Sequence, residues 1–321
     1  MASTENTDKK NGVVTKSTGS WYTVREPDGN SVQCKIKGTF RIKGIDSTNP
    51  VTVGDRVSFS QEQDGTGVIH NIEKRDNYII RRATKLSKRT HIIAANIDQA
   101  LLVVTLKEPE TPKMFIDRFL VTAEAYHIPA AIIVNKTDLY TGKRKEELAE
   151  FKAIYKSAGY RLLEISAVKN ENSEPLIKLL KDKNSLIAGL SGVGKSTLIN
   201  MVDERLELKV GEISDYHKTG KHTTTFAEMH ELSFGGFIID TPGIRSFGLA
   251  DLKEELAHRF PEVRKVMDDC QFNNCLHIKE PKCAVRIAVD NGSISQSRYN
   301  NYVQMLQGDE EDPYRHNIHP E

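Results

Sequence analysis

One segment of the sequence carries phosphate chemistry on its face. Gly189-Leu190-Ser191-Gly192-Val193-Gly194-Lys195-Ser196 has the spacing G-x-x-x-x-G-K-S. Glycines at these positions let backbone N–H groups turn inward around phosphate oxygens. A helix starting at the end of the loop adds the positive end of its dipole. Lys195 is placed to reach the β- and γ-phosphates, and the Ser196 hydroxyl is a ligand for Mg²⁺. Thr197 completes the phosphate set. The apolar run Ser185 to Ala188 before the loop and the helical run Thr197 to Val202 after it supply the strand–loop–helix context that the motif needs. Further on, Asp240-Thr241-Pro242-Gly243 follows the apolar Phe237-Ile238-Ile239. An Asp at such a strand end can hold Mg²⁺, usually through water, and the Gly243 N–H can meet a γ-phosphate.

A second group of residues selects the base. Asn135-Lys136-Thr137-Asp138 follows the apolar run Ala130 to Val134. The Asp138 carboxylate can accept from the N1–H and N2 amino groups of guanine, a donor pair that adenine lacks. Asn135 would brace the loop, and the stem of Lys136 would cover the ring. Ser166-Ala167, after Leu163-Glu164-Ile165, suits a backbone donor to guanine O6. These residues point to GTP and GDP with Mg²⁺ rather than to ATP.

A third group suits a metal. Cys270-x4-Cys275-x-His277-x5-Cys283 offers three thiolates and one imidazole. Clustered cysteines in a cytosolic chain point to metal rather than disulfides, and a Cys₃His set fits one closed, structural Zn²⁺. Cys34, alone in a strand-like stretch, reads as a buried apolar residue.

The elements that must position these groups are legible in outline. Residues 1–10 are polar and expected to be disordered. Over 11–76, short alternating runs (Trp21 to Val24, Val32 to Ile36, Val51 to Phe59 around Gly54-Asp55, Gly67 to Ile72) are separated by turn residues such as Pro27-Asp28-Gly29-Asn30. That pattern and size suit a five-stranded OB-type β-barrel, a fold that often binds oligonucleotides. Residues 77–90 read as a basic linker containing Arg81, Arg82, Lys88 and Arg89. From 91 to 250, apolar runs alternate with helical segments, which indicates an α/β domain with a parallel sheet. Residues 251–307 are helical around the Cys/His cluster, and 308–321 form an acidic tail.

Charge is uneven along the chain. Asn11 to Thr90 holds seven Lys and seven Arg against five Asp and three Glu, a local +6 on a chain whose net charge is +1. A basic N-terminal module suits a polyanionic partner, although a solvated surface would have the same composition. No run approaches the roughly 20 apolar residues that span a bilayer, and Met1 to Asn11 has no apolar signal core. No membrane partner is expected, and the cytoplasm is the expected compartment.

The order of the parts is unusual. Ordinary GTPases place the phosphate loop first and the guanine motif late; here Asn135 to Asp138 and Ser166-Ala167 precede Gly189 to Ser196, and Asp240 to Gly243 comes last. That is a circular permutation, and it sends the γ-phosphate loop almost directly into the C-terminal domain. The expectation is that nucleotide state repositions that domain.

Permuted order, an OB-type N-terminal module and a C-terminal Cys/His cluster together resemble the RsgA (YjeQ) family of small ribosomal subunit biogenesis GTPases, over about residues 12 to 305. The fold class expected is multidomain: an N-terminal OB-type β-barrel, a central circularly permuted α/β P-loop GTPase domain and a C-terminal helical zinc-binding domain. The resemblance implies a monomeric GTP hydrolase that binds the small ribosomal subunit and its ribosomal RNA, assists late maturation and leaves after hydrolysis. Two rivals remain: a GTPase of another ribosomal particle or RNA, and a non-catalytic RNA-binding module. Gly220-Lys221-His222-Thr223-Thr224-Thr225 resembles the family's switch motif. One of these threonines, with Thr223 and Thr224 taken first, would close over Mg²⁺. The position after Gly243, where many GTPases carry a water-orienting Gln, is Ile244. The resemblance implies that His222 replaces it in catalysis beside Lys195 and Gly243; an exposed loop residue is the equal alternative. Slow turnover alone and stimulation by the subunit are expected.

Overall fold

The computed structural model describes residues 9–36, 50–81, 91–207, 227–240 and 253–308. Three packed units follow one another along the chain.

The first is a closed five-stranded barrel of β1 (Lys10–Thr18), β2 (Trp21–Arg25), β3 (Ser31–Ile36), β4 (Arg56–Gln61) and β5 (Gly67–Ile72). β1 pairs with both β2 and β4, β2 with β3, β3 with β5 and β5 with β4, so the ring has no free edge. Alternation decides which side chains fill it. Tyr22, Val24, Val32 and Cys34 point inward with Val57, Phe59 and Ile69, while their sequence neighbours face out. Cys34 is fully buried, as its surroundings in the sequence suggest, and burial pushes its thiol up to about 12.

The run Val51 to Phe59 breaks at Gly54-Asp55: Thr52 to Asp55 form a turn in which Asp55 accepts from the Thr52 N–H at 2.8 Å and binds Arg75 at 2.6 Å. Position 54 requires glycine, since its φ is +87° and a Cβ would lie 2.0 Å from the Ala95 carbonyl oxygen. One expectation is corrected here: the basic linker is not plain linker. Its start is β6 (Tyr78–Arg81), antiparallel to β7 (His91–Ala95). The arginines dominate the reading of the sequence, whereas Ile79, 2% exposed, supplies the apolar contact that makes the strand. Arg82, Lys88 and Arg89 lie outside the described residues.

The central unit is a sheet in the order β10-β9-β8-β11-β13-β12. Its parallel strands are β8 (Gln99–Val104), β9 (Ala130–Val134), β10 (Arg161–Glu164), β11 (Asn184–Ala188) and β13 (Phe237–Asp240); β12 (Glu228–Glu231) is antiparallel to β13. Every residue of β8 is buried, as a central strand covered on both faces requires. Helices α1 (Lys113–Ala125), α2 (Lys143–Ser157), α3 (Ser173–Leu180) and α4 (Lys195–Val202) supply the cover. On α1, Ile116, Phe119, Leu120 and Ala123 repeat at helical spacing toward the sheet.

The third unit is helical. A 3₁₀ stretch (Lys253–Arg259) and α5 (Pro261–Arg264) precede the Cys/His segment, and α6 (Ala284–Asp290) and α7 (Gln296–Gln307) follow it. Its core of Leu256, Phe260, Val263, Val285, Val289 and Tyr302 also takes in Val121 of α1. Beneath that contact lies a buried ionic group: Arg298 of α7 meets Asp117 of α1 at 2.6 Å and also binds Glu262 of α5.

The barrel is tied to the central unit at two places. Thr52 Oγ1 donates to the Ile92 and Ile93 carbonyls, and Val53 bridges Ala94. Lys16 of β1 pairs with Glu228 of β12, which makes barrel and sheet continuous. Among the described residues no helix is long and apolar enough to cross a membrane.

Candidate functional site

The parallel strands end along one edge, and the loops that leave this edge gather the sequence-predicted residues. Chain direction diverges between β8 and β11, since β8 leads to β9 and β10 on one side and β11 to β12 and β13 on the other. Ligands of open α/β sheets bind at such switch points.

The phosphate loop leaves β11 and enters α4 through Gly194, which has φ +90°. Ser191 and Gly192 are exposed, Val193 is buried beneath them, and the Ser196 hydroxyl sits in the first turn of α4 with its residue 6% exposed. The Lys195 ammonium lies over the loop and donates to the Gly189 carbonyl at 2.9 Å and the Leu190 carbonyl at 2.8 Å. Thr197 is half-buried on the same turn.

Asn135 knots the site together. Its side-chain N–H donates to the Val193 carbonyl in the phosphate loop at 2.9 Å, and its oxygen accepts from the Ala167 N–H at 3.1 Å. One amide buried to 2% exposure therefore holds three loops in register. Gly194 is required beside it, because a Cβ there would lie 2.5 Å from the Asn135 nitrogen. Ser166 Oγ donates to Asp138 Oδ1 at 2.6 Å and so fixes the carboxylate's orientation. Lys136 adopts φ +60° and its ammonium binds the Glu108 carbonyl. Thr137 donates its N–H to the Ile165 carbonyl at 3.2 Å.

Two supports escaped the sequence. The Tyr140 hydroxyl donates to the Asn135 carbonyl at 2.7 Å and accepts from the Leu106 N–H at 2.9 Å. Its position two residues after Asp138 was the only available signal. The loop between β8 and α1 brings Glu108 to Lys136 and Pro109 against Gly192; nothing in its composition marks that role.

Asp240 ends β13, its backbone paired in register with Ile187 of β11, one strand away from the phosphate loop. His222, Thr223, Thr224 and Gly243 lie outside the described residues.

The Cys/His segment forms a separate centre. Cys270 Sγ and Cys283 Sγ are 3.9 Å apart and lie 3.6 Å and 3.5 Å from His277 Nδ1. Cys275 completes a set whose donor atoms all fall within 4.8 Å of one another. A tetrahedral Zn²⁺ with bonds of about 2.3 Å to sulfur and about 2.0 Å to nitrogen has S···S edges near ~3.8 Å and S···N edges near ~3.5 Å. The donors therefore fit that ion. Burial pushes the Cys275 thiol up to about 12 and the Cys283 thiol upward, so thiolate charge there calls for a cation beside it; burial also pushes His277 downward, toward the neutral imidazole that ligates metal. The Tyr299 hydroxyl donates to the His277 carbonyl at 2.7 Å and the Tyr302 hydroxyl to the Leu276 carbonyl at 3.0 Å, so α7 holds the ligand loop by its backbone. Glu280, also missed in the sequence, accepts from the Leu276, Ile278 and Lys279 N–H groups at 2.8–3.0 Å. Burial opposes its charge, yet these bonds hold its carboxyl down at about 2.

The family model for the RsgA GTPase matches residues 72–250, and that for the RsgA N-terminal domain matches residues 11–69. The chain belongs to the RsgA GTPase family. A relative from Christiangramia forsetii, named small ribosomal subunit biogenesis GTPase RsgA, is 53% identical over 311 residues, covering 95% of this chain and 98% of its own. The protein of the same name from Bacteroides fragilis is 52% identical over 305 residues, with 95% and 98% coverage. Among solved structures, YjeQ from Thermotoga maritima superposes with a TM-score of 0.77 at 36% identity over 94% of this chain and 98% of that one. YloQ, described as a circularly permuted GTPase, gives 0.72 at 29% identity over 96% and 97%. Membership of the RsgA family makes the chain a GTP hydrolase and implies GTP, GDP and Mg²⁺ as its cofactors. It also matches the N-terminal barrel and the circular permutation described above.

Proposed function

We propose that this chain hydrolyses GTP on the small ribosomal subunit during its late maturation and leaves the subunit with GDP bound. The ribosomal part of this reading rests on the names of relatives about half identical along nearly the whole chain. The nucleotide part rests on one observation above others: Asn135 links the guanine loop, the Ser166-Ala167 loop and the phosphate loop.

In this reading Asp138, oriented by Ser166, accepts from the guanine edge, Ala167 offers its N–H to O6, and Lys136 covers the ring beside Thr137. Gly189 to Ser196 and Thr197 surround the phosphates, with Lys195 exchanging its two loop carbonyls for phosphate oxygens. Ser196 and Asp240 would hold Mg²⁺, which supplies positive charge to the phosphates. Gly243 and either Thr223 or Thr224 meet the γ-phosphate side, and His222 orients the attacking water. Cys270, Cys275, His277 and Cys283 hold one structural Zn²⁺. The chain acts as a cytoplasmic monomer, slow alone and accelerated by the subunit; the barrel, the linker and the C-terminal unit contact ribosomal RNA. Divided by function, the chain comprises 11–76, 91–250 and 251–307, with 1–10 and 308–321 as terminal segments and 77–90, which opens with β6, joining the first two.

The test is GTP turnover with and without purified small subunits, with large subunits as control and Asp138→Asn as the check on base selection. Stimulation by small subunits alone, with loss of GTP preference in the variant, is the expected result. Equal rates with and without small subunits would remove the ribosomal assignment.

A further inference from the structure

The chain's single tryptophan, Trp21, stands 39% exposed among the described residues. The ladder between β2 and β3 explains why it faces out: Tyr22 opposite Cys34 and Val24 opposite Val32 fill the barrel, so the alternate positions must leave it. Those outward positions are Trp21, Thr23 and Arg25 on β2 and Ser31, Gln33 and Lys35 on β3, with no carboxylate among them. Lys35 Nζ lies 4.1 Å from the centroid of the Trp21 ring. The Gln33 amide donates to Thr23 Oγ1 at 3.0 Å, which leaves its carbonyl oxygen as an outward acceptor. Arg25 is already engaged by Glu231 of β12 and by the Gly29 carbonyl. Asp64, the neighbouring acid in the loop from β4 to β5, is turned to the Thr66 N–H.

An aromatic ring, a mobile cation and an amide on one acid-free ladder match the needs of a single nucleic-acid strand. Every base offers a π-face to an aromatic side chain, and the strand 2–3 face is where OB folds take oligonucleotides. The attraction of an exposed ammonium for a ring is weaker than the stacking of a base upon it. A base therefore displaces Lys35 from the ring and leaves its ammonium free for the adjoining phosphate. We propose that Trp21 and Lys35 form a stacking platform on which the barrel takes an unpaired RNA base. This refines the ribosomal reading above and rests on it for the identity of the RNA.

The single tryptophan makes the test site-specific. The full chain is titrated with a short labelled oligoadenylate, following tryptophan emission and label anisotropy together. Saturable quenching is expected. Trp21→Ala should lose about tenfold in affinity with basal GTP turnover unchanged, and Trp21→Phe should keep most of the affinity. Lys35→Met should lose a few-fold and show a shallower salt dependence. Binding of the label with emission unchanged, equal affinity in Trp21→Ala, or no binding of the oligonucleotide at all would each overturn the platform. So would a Trp21→Ala chain that no longer pellets with small subunits while its oligonucleotide binding is intact, since that outcome assigns the face to a protein. Failure of subunits to stimulate the wild-type chain sinks the ribosomal reading instead, and the quenching readout is independent of it.

Discussion

Replacing Arg298 by alanine should uncouple the C-terminal helices from α1. Arg298 is 1% exposed and lies between Asp117 of α1, fully buried, and Glu262 of α5, 6% exposed. It makes a 2.6 Å bond to Asp117 and two to Glu262, one of them at 3.1 Å, while the rings of Tyr155, Tyr160 and Phe260 stand 4.9–5.5 Å from its guanidinium carbon. Deleting the cation leaves two carboxyls in an apolar setting, with Asn301 still donating to Asp117 at 2.6 Å. Breaking a buried ion pair from one side costs about 3–5 kcal/mol, and that is the expected loss in urea unfolding of Arg298→Ala at pH 7. Arg298→Met, which keeps the volume, loses the same charge and should fare little better unless Asp117 and Glu262 are replaced together with it. The sign of the pH dependence follows from burial, which already pushes the Asp117 carboxyl above its ordinary value despite Arg298. Without the cation it rises further. A group whose folded pKa is raised contributes stability at low pH that is lost as pH climbs through that value. The deficit of Arg298→Ala should therefore shrink on going from pH 8 to pH 5. A loss below about 1 kcal/mol, the scale of an exposed pair, or a deficit that grows on acidification, would refute this account.

Three further outcomes are expected. Gly194→Ala forces a Cβ to 2.5 Å from the Asn135 nitrogen at φ +90°; strain and a lost buried hydrogen bond, about 1–3 kcal/mol each, should weaken GDP binding by tenfold or more in calorimetry. Chelation of the metal should expose the C-terminal helices to protease and lower their Tm by about 10 °C, because a segment stapled by Zn²⁺ takes its folding energy from the ion; elemental analysis should find one zinc per chain. Replacing both Glu228 and Glu231 by alanine, which removes the exposed pairs to Lys16 and Arg25, should cost at most about 1 kcal/mol per pair, and the difference from wild type should vanish at high salt.

What the sequence disclosed was whatever is local. The phosphate loop needs its glycines at fixed spacing, so Gly189 to Ser196 could be read without coordinates, and so could the Cys₃His set and the apolar runs of β8 and β9. What stayed hidden depends on long-range geometry. Tyr140, Glu280 and Arg298 act through bonds to backbone or side chains that no periodicity reports; Asp117 and Arg298 are 181 positions apart. The strand Tyr78–Arg81 was concealed by its own charge, since its arginine neighbours outweigh two isoleucines in any compositional reading. The turn at Thr52 to Asp55 was marked by Gly54-Asp55, but the buried bond of Asp55 to Arg75, twenty positions on, was not.

The permuted order led to the expectation that nucleotide state swings the C-terminal unit through the segment after Asp240. The packing argues for a different route. Val121 and Asp117 of α1 belong to the same core and the same ionic group as Phe260, Tyr302 and Arg298, so a swing that separated the two would cost about 3–5 kcal/mol for the ion group alone. Allosteric coupling between sites is typically worth about 1–3 kcal/mol, too little to break that contact on each cycle. α1 and the C-terminal helices should instead move as one body. The helix is suited to carry such motion, because the loop that feeds it places Glu108 on Lys136 and Pro109 against Gly192. A change at the guanine or phosphate loop thus reaches the C-terminal unit through the start of α1. Disulfide-linking α1 to α7 should then leave nucleotide exchange and turnover intact, whereas a swing through the Asp240 segment would be arrested by the same link.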